Sequence, residues 1–304
     1  MIDLQRRRAR VSGVDMAFFE EGAPEDPAVV FLHGFPTSSF LWREFVPLFA
    51  PWTHVIVPDL LGCGRSGMPE DAALHIRAQA GYIRELLAGL GVDRFAVVGH
   101  GHGGGIAQLL AIDGGVEAMV LVDSIAFDAW PSETTRALQL SAPQDQRENV
   151  VRAAFDAFLR RAMAKPERRT DDLRDAYLAP FLGQEGVRAF FRGIDAADGL
   201  GLIGREDELA RLSCPTLILW GEEDPYLSVE VGERLNDAIP TSSLAVLPGC
   251  SYLLPEDAPE TIAPLAFDYL RSKYLGRPHS HGEPGAVPIT LERRPSGGIE
   301  EARS

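Results

Sequence analysis

The sequence predicts an α/β fold in which a mostly parallel sheet carries helices on both faces. Short apolar runs rich in Val, Ile and Leu recur along the chain, and helix-length stretches with one apolar face separate most of them. The 304 residues, 45% of them hydrophobic, are enough for a sizeable packed core and exclude a disordered or fibrous protein. The predicted strands are Ala28–Leu32, Val55–Pro58, Phe95–Gly99, Ala118–Val122, Thr216–Trp220 and Leu244–Leu247.

An edge hairpin and five helices complete the predicted core. Arg10–Val14 and Met16–Glu20 flank a turn at Gly13, which predicts an antiparallel hairpin at the edge of the sheet and an eight-stranded sheet in all. Each helical stretch places its apolar residues on one face, as a helix packed on a sheet does. The predicted helices are Phe40–Phe49, Ile76–Leu90, Gly105–Ile112, Glu230–Ala238 and Pro259–Tyr274.

Residues 130–212 interrupt the strand rhythm and predict a helical cap. Arginines and acids alternate there with Ala, Phe and Leu, and Val150–Ala162 and Asp172–Leu178 have helical periodicity. An insert after the sixth strand lies over the carboxyl edge of the sheet, where ligands bind in open α/β folds. We therefore expect a core domain of residues 1–129 and 213–275 beneath this cap.

Two polar segments have competing interpretations. Four cap arginines are expected to form a solvated helix face, with binding of an anionic substrate as the alternative. The last stretch, 276–304, is dense in Gly, Pro, Ser and charged residues and is predicted to be a disordered tail. Its His279 and His281 lack a third ligand, so we expect no metal site there. The arginines concerned are Arg160, Arg161, Arg168 and Arg169.

Charge and cysteine content exclude several classes of protein. The 29 Lys and Arg against 44 Asp and Glu give a net charge of −15, which repels nucleic acids and anionic membranes. Cys63, Cys214 and Cys250 have no C-x-x-C spacing, so they indicate neither a disulfide framework nor a zinc ribbon. No apolar run approaches the roughly 18 residues of a membrane span. We expect a soluble, cytoplasmic protein that binds a small hydrophobic molecule and needs no cofactor, and the sequence leaves a homodimer open.

A glycine-rich turn marks the centre of the chain. Phe95–Gly105, which reads FAVVGHGHGGG, is a β-branched strand that runs into glycines and then a helix, which is the setting of a nucleophile elbow. With the blocks Phe31–Trp42, Pro58–Gly67, Leu219–Pro225 and Pro248–Asp257, it resembles the α/β-hydrolase superfamily. The resemblance is to the branch of haloalkane dehalogenases, epoxide hydrolases and C–C-bond hydrolases, and it implies an α/β-hydrolase fold with the cap after the sixth strand.

A dinucleotide site is a weaker interpretation of the same glycines. Gly99, Gly101 and Gly104 match the G-x-G-x-x-G spacing of a dinucleotide-binding turn. That turn belongs after the first strand of a βαβ unit, whereas these glycines lie in the middle of the chain. We therefore expect no nucleotide cofactor.

The resemblance implies three catalytic side chains, and two of them are missing. The nucleophile position falls on Gly101, the acid position on Asp224 and the histidine position on Tyr252. No histidine occurs between His102 and His279, so a shifted alignment does not restore the triad. Glycine cannot attack a substrate, and tyrosine is a proton donor rather than a base at neutral pH. Asp224 alone matches the family pattern.

The oxyanion hole implied by the resemblance does not depend on those side chains. Its donors are backbone N–H groups, which fall on Phe35 and His102. The His102 side chain is also a candidate acid or base, because imidazole titrates near pH 7. Asp123, at the end of the sixth strand, is an alternative acid or a capping residue, and Ser251 is a secondary candidate. We expect His33 and His100 to be structural.

Four functions are consistent with this site. The first is an enzyme for cofactor-free, non-hydrolytic acid–base chemistry, of lyase, isomerase or cyclase type, on a hydrophobic carbonyl-containing small molecule, using His102, Tyr252 and Asp224. The second is a residual hydrolase that activates water directly. The third is a small-molecule-binding protein that has lost catalysis, and the fourth is an engineered inactive variant.

Overall fold

The structure of the chain is a computed structural model that describes residues 6–131, 133–141, 147–198 and 201–276. These residues form one eight-stranded sheet in the order β1-β2-β4-β3-β5-β6-β7-β8. Strands β1 and β2 pair antiparallel with each other and β2 pairs antiparallel with β4, whereas the remaining pairs are parallel. The mostly parallel sheet with an edge hairpin is confirmed. The strands are β1 Arg6–Val11, β2 Val14–Glu21, β3 Ala28–Leu32, β4 His54–Pro58, β5 Phe95–His100, β6 Val116–Val122, β7 Thr216–Gly221 and β8 Ser242–Leu247.

Burial explains why the central strands are so apolar. Every residue of β3, β4, β5 and β7 is buried, because helices cover both faces of the parallel part of the sheet. Six helices pack with the strands in the core. They are α1 Val46–Phe49, α2 Ile76–Gly89, α3 His102–Asp113, α9 Val229–Ala238, α10 Leu254–Asp257 and α11 Pro259–Leu270.

Helix α3 passes through the middle of the molecule, directly after β5. Its first ten residues are all buried. A Cβ atom on Gly103 would lie 2.0 Å from the carbonyl oxygen of Leu32, so only glycine lets the start of α3 approach β3 this closely. The glycines of the sequence motif therefore set the depth at which α3 begins.

The described residues between β6 and β7, where the sequence predicts the cap, form five α-helices. Two of these helices, α5 and α6, match the predicted helices Val150–Ala162 and Asp172–Leu178 within two residues at each end. The other three, α4, α7 and α8, were not predicted. The structure does not test the domain boundaries expected from the sequence, and residues 277–304 of the predicted tail, with His279 and His281, lie outside the described residues. The cap helices are α4 Glu133–Ser141, α5 Glu148–Ala162, α6 Asp171–Leu178, α7 Gly183–Asp195 and α8 Glu206–Leu209.

The prediction of one helix over Phe40–Phe49 is wrong. The chain forms a 3₁₀ turn over Ser39–Trp42 and then the four-residue helix α1. Pro47 lies at the start of α1, where a proline is tolerated, but its missing N–H cannot continue a helix from the preceding turn.

Two buried carboxylates fasten the cap to the core. Asp257 accepts hydrogen bonds from the backbone N–H groups of Ala164 and Lys165, at 2.9 and 3.2 Å. Glu256 binds Arg43 through two hydrogen bonds of 2.7 Å and also accepts the hydroxyl of Tyr177 on α6. Buried charges are tolerated only when they are paired in this way. The segment after α5 and the end of α6 are thereby fixed to the core.

In the part of the chain that the structure describes, no helix has both the length and the apolar character needed to cross a membrane.

Candidate active site

The backbone at Gly101 has the conformation of a nucleophile elbow. Gly101 joins β5 to α3 with φ 53° and ψ −115°, a strained region for any residue with a side chain. Its N–H donates to Val122 at 3.1 Å, and its carbonyl accepts the N–H groups of Gly104, Gly105 and Ile125. These backbone hydrogen bonds hold the turn without any contribution from a side chain.

The hydroxyl of Tyr252 lies where a nucleophile would be. A Cβ atom built on Gly101 would be 2.2 Å from the Tyr252 Oη, which is far inside contact distance. Tyr252 is only 3% exposed, and the rings of His100 and Tyr226 pack against it with centroids at 4.7 and 5.3 Å. The Tyr252 hydroxyl therefore fills the space that a side chain at position 101 would need. The sequence did not predict this contact.

Burial makes Tyr252 a neutral proton donor. It raises the pKa of Tyr252 well above the usual value, and the negative charges of Asp224 and Asp123 raise it further. No other described residue forms a hydrogen bond with the Tyr252 hydroxyl. At neutral pH this hydroxyl keeps its proton and can donate it to a ligand.

His100 and His33 serve the backbone. The Nε2 of His100 donates to the carbonyl of Tyr252 at 2.8 Å, and burial lowers the pKa of His100 to about 4. His33 accepts the N–H of Leu60 at its Nε2 and donates from Nδ1 to the carbonyl of Gly34. Both rings are neutral and committed to structural hydrogen bonds, as the sequence predicts.

The structure does not support proton transfer by the His102 side chain. Its Nδ1 accepts the backbone N–H of Phe35 at 3.5 Å, and the ring packs edge-on against Trp130 with centroids 4.7 Å apart. Burial, together with the neighbouring imidazoles of His100 and His33, lowers the pKa of His102 to about 3. A base that weak stays unprotonated at neutral pH, so we assign His102 a positioning role.

The same contact changes one of the two expected oxyanion donors. The Phe35 N–H is directed at the His102 imidazole, although 3.5 Å is long for a hydrogen bond. The backbone N–H of His102 opens α3, where helix geometry supplies no acceptor, and none is found among the described residues. The His102 N–H is available to a ligand. A ligand oxygen that is a stronger acceptor than the imidazole can replace His102 Nδ1 as the acceptor of the Phe35 N–H.

The two acids lie behind Tyr252, at the ends of the adjacent strands β6 and β7. One oxygen of Asp224 accepts the N–H groups of Tyr226 and Leu227, at 2.8 and 3.1 Å. One oxygen of Asp123 accepts the N–H of Gly221 at 2.7 Å, so Asp123 also has the capping role that the sequence offers. The second oxygen of each acid is buried and lacks a hydrogen-bond partner among the described residues.

Burial raises the pKa of both Asp123 and Asp224. It raises the pKa of Asp224 to about 7, against the effect of the two backbone hydrogen bonds. It raises the pKa of Asp123 as well, and the nearby charge of Asp224 adds to this effect. Asp224 thus titrates near neutral pH, and Asp123 favours its neutral form.

Ser251 has a structural position. Its hydroxyl donates to the backbone carbonyl of Arg161 at 3.1 Å and lies 3.3 Å from that of Glu223, and its N–H donates to Asp257. These bonds tie the loop before α10 to the end of α5. The secondary catalytic role suggested by the sequence has no support in this geometry.

An apolar cavity of about 190 Å³ separates the cap from the elbow. Tyr252 lines it, but the His102 side chain faces a neighbouring smaller pocket, and Asp224 lines an adjacent open groove. The structure thus brings Tyr252 to the cavity and leaves Asp224 behind it. No cluster of three metal-ligating side chains occurs within the described ranges. Aromatic side chains of the cavity wall include Phe35, Trp130, Phe155, Phe158, Phe190 and Tyr226.

Comparisons with known proteins agree with this architecture. A haloalkane dehalogenase of Bradyrhizobium diazoefficiens is 31% identical over 292 residues, which cover 86% of this chain and 92% of the relative. Haloalkane dehalogenase 2 of Mycobacterium tuberculosis is 28% identical over 81% of this chain and 88% of its own length. The crystal structure of an α/β-hydrolase fold protein from Burkholderia ambifaria superposes with a TM-score of 0.81 at 30% identity and covers 88% of this chain and 98% of that one.

A family model described as the α/β-hydrolase fold matches residues 27–259, which include the elbow, the cap and both acids. Relatives of this chain are named as dehalogenases and hydrolases. The chain belongs to the α/β-hydrolase fold family.

Proposed function

We propose that this protein is an enzyme in which the Tyr252 hydroxyl takes the place of the nucleophile and donates a proton to a carbonyl oxygen. The reaction class is cofactor-free and non-hydrolytic, and it comprises lyase, isomerase and cyclase steps on a hydrophobic carbonyl-containing small molecule. The proposal depends on one observation, the 2.2 Å between the Tyr252 Oη and a Cβ placed on Gly101. A proton donor occupies the centre of the site.

Covalent catalysis has no support at this elbow. A covalent intermediate needs a side chain that attacks the substrate and a base that activates it. Gly101 offers no such side chain, and the residue at the histidine position, Tyr252, is protonated. Chemistry that requires only activation of a carbonyl remains.

The donors around the elbow suit an oxygen that gains negative charge. Tyr252 would donate from the cavity wall and the His102 N–H from the start of α3, where the helix dipole also favours an anion. A charged oxygen is a stronger acceptor than a neutral imidazole, so it would recover the Phe35 N–H as a third donor. Closure of a hydroxyketone to its hemiketal is one such step. The hydroxyl oxygen of the substrate bonds to the carbonyl carbon as the C=O π bond breaks, Tyr252 protonates the carbonyl oxygen, and the proton of the attacking hydroxyl returns Tyr252 to its neutral form.

Asp224 would control the strength of Tyr252 as an acid. Its negative charge raises the pKa of Tyr252, so the tyrosine is a better donor when Asp224 is neutral. Because the pKa of Asp224 is raised to about 7, both forms are populated at neutral pH. Asp224 is in this proposal a positioning residue rather than a catalytic one.

Two other functions have particular observations in their favour. A non-catalytic binding protein is favoured by the bond from the Phe35 N–H to His102, which occupies an oxyanion donor. Direct hydrolysis is favoured by the names of the relatives and by the raised pKa of Asp224, which lines an open groove where it could activate water. A cytoplasmic location and a homodimer stay predictions from the sequence.

The proposal is tested with two single-ring ketones. Acetophenone bound to the protein is expected to show a lowered infrared C=O stretching frequency, because Tyr252 polarises the carbonyl. Ring closure of ortho-hydroxymethylacetophenone to its hemiketal, followed by NMR exchange, is expected to slow about 100-fold in Tyr252→Phe, the lower end of general acid catalysis. Tyr226→Phe, a tyrosine on the same cavity wall, is the matched control and should retain both effects.

The outcomes separate the three functions. A polarised carbonyl without faster ring closure would favour the binding protein. Hydrolysis of phenyl acetate that survives in Tyr252→Phe would favour direct water attack. An unshifted carbonyl frequency in the wild-type protein would contradict the assigned role of Tyr252.

A further inference from the structure

One of the four cap arginines has a position that the other three lack. Arg161 lines both the aromatic cavity and the adjacent open groove. Arg160 and Arg161 are both exposed, but Arg160, Arg168 and Arg169 line neither space, and Arg168 pairs with Glu260 at 2.7 Å. Arg161 differs from them in its position at the boundary between the cavity and the groove.

The base of the Arg161 side chain is held firmly. Arg161 lies in the last turn of α5, and its carbonyl accepts the Ser251 hydroxyl. The next residue, Ala162, accepts the Leu253 N–H at 2.7 Å. The guanidinium carbon lies 5.4 Å from the centre of the Tyr226 ring, at the cavity wall. A cation is thus anchored beside an otherwise apolar chamber.

The size of the chamber limits the ligand to one ring. A dry cavity of about 150 Å³ in a protein core is known to bind benzene, and this one measures about 190 Å³. Its aromatic walls offer edge-to-face contacts to a flat ring. The groove adjoins this chamber at Arg161 and Tyr226, which line both, so a further group on the ring would lie beside Arg161.

Charge determines what that further group is. The chain carries −15 overall and repels anions at long range, so an anion is retained only where a cation is in direct contact. Arg161 is the one Lys or Arg among the described residues that line the cavity. We infer that the cavity binds a single-ring aromatic carboxylate, with the ring between the cap and Tyr252 and the carboxylate on Arg161. The inference rests on the proposed function for its role as a substrate, which would be an aromatic keto acid.

Two probes of equal size test the inference on the full chain by isothermal titration calorimetry. Benzoate is expected to bind about tenfold more tightly than neutral benzyl alcohol, since hydrogen bonds to charged groups are the stronger ones. Arg161→Gln is expected to weaken benzoate binding about tenfold and to leave benzyl alcohol unchanged, and Arg161→Lys should restore part of the loss. Arg160→Gln, the neighbouring exposed arginine, is the matched control and should alter neither affinity.

Three results would overturn the inference: equal affinity for the two probes, unchanged benzoate binding in Arg161→Gln, or no benzoate binding by the wild-type protein. These results are distinct from failure of the proposed function, which is read from carbonyl polarisation and turnover in Tyr252→Phe. If Tyr252→Phe changes neither of those while Arg161→Gln still loses benzoate, the ligand class stands and the proposed chemistry does not.

Discussion

The site has two sides that differ from the family pattern in opposite ways: a nucleophile side around Gly101 and His102, and an acid side around Asp123 and Asp224. On the nucleophile side, around Gly101 and His102, the backbone turn is intact and the reactive side chain is absent. On the acid side, Asp123 and Asp224 are both present, and each has one buried oxygen without a described partner. The backbone turn persists because its hydrogen bonds are made by main-chain groups, whereas the acids lack the histidine that the family resemblance implies between them and the nucleophile.

The two sides also respond to burial with opposite shifts in pKa. Burial lowers the pKa of His100 to about 4 and of His102 to about 3, and it raises that of Asp224 to about 7. Both shifts favour the uncharged form. A site of this kind loses stability at acid pH through its histidines and at higher pH through its acids.

The largest expected effect comes from restoring a side chain on the nucleophile side. Gly101→Ser is expected to lower the free energy of unfolding by about 3 kcal/mol, because the new Cβ meets the Tyr252 hydroxyl at a strained φ. In a Tyr252→His background the same change is expected to cost about 1.5 kcal/mol, since only the strain persists. Urea unfolding of the four proteins measures this coupling, and the double variant is expected to gain hydrolysis of phenyl acetate.

Gly91→Ser is the matched control for that prediction. Gly91 has φ 72°, and a Cβ atom added there would have no neighbouring atom within 4 Å, so a serine meets strain without a clash. Its cost is expected to be the same with tyrosine or with histidine at position 252. Additive effects of Gly101→Ser and Tyr252→His, or no gain of esterase activity, would contradict the view that the two residues replace one another in space.

On the acid side, Asp224→Asn is expected to remove a loss of stability with rising pH. An unfolded aspartate ionises near its usual pKa, whereas folded Asp224 keeps its proton until about pH 7, so the wild-type protein loses stability as the pH rises between these values. Between about pH 5 and pH 8 the variant should gain on the order of 2 kcal/mol relative to the wild type. Urea unfolding across this range measures the difference.

Asp128→Asn is the control for the acid side. Asp128 is an exposed carboxylate whose pKa is lowered by its hydrogen bond to Arg234, so it carries no proton to lose in this range. Its removal should leave the slope between about pH 5 and pH 8 as in the wild type. If the free energies of unfolding of Asp224→Asn and the wild type changed in parallel with pH, the raised pKa of Asp224 would be contradicted.

Sequence reasoning reached most of the fold because its signals are local. The run Ala28–Leu32 is apolar at every position and forms β3 with those bounds, since a strand buried on both faces must be apolar throughout. The helix predicted over Phe40–Phe49 failed where Pro47 starts a new short helix. The cap helix α7 was missed although Val187, Phe190, Phe191 and Ile194 recur at helical spacing and are buried, so the signal was present in the sequence.

The site was less predictable because its contacts join distant parts of the chain. The glycine at position 101 and the tyrosine at position 252 were each visible as a missing catalytic residue, but only the fold shows that one fills the space of the other. The bond from the Phe35 N–H to His102 is likewise a product of the packing of α3 against the loop after β3. A sequence reveals the titratable groups, whereas burial decides which of them titrate near neutral pH.

The smallest effect is expected from His102→Gln, which tests the nucleophile side by pH. An unfolded histidine gains a proton below about pH 6.5, whereas folded His102 stays neutral down to about pH 3, so the wild-type protein loses stability as the pH falls through this range. Between about pH 8 and pH 5.5 the variant should gain about 1 kcal/mol relative to the wild type, as measured by urea unfolding. This slope is opposite in sign to that of Asp224→Asn. If both variants shifted stability in the same direction with pH, burial would not be the common cause of the two pKa changes.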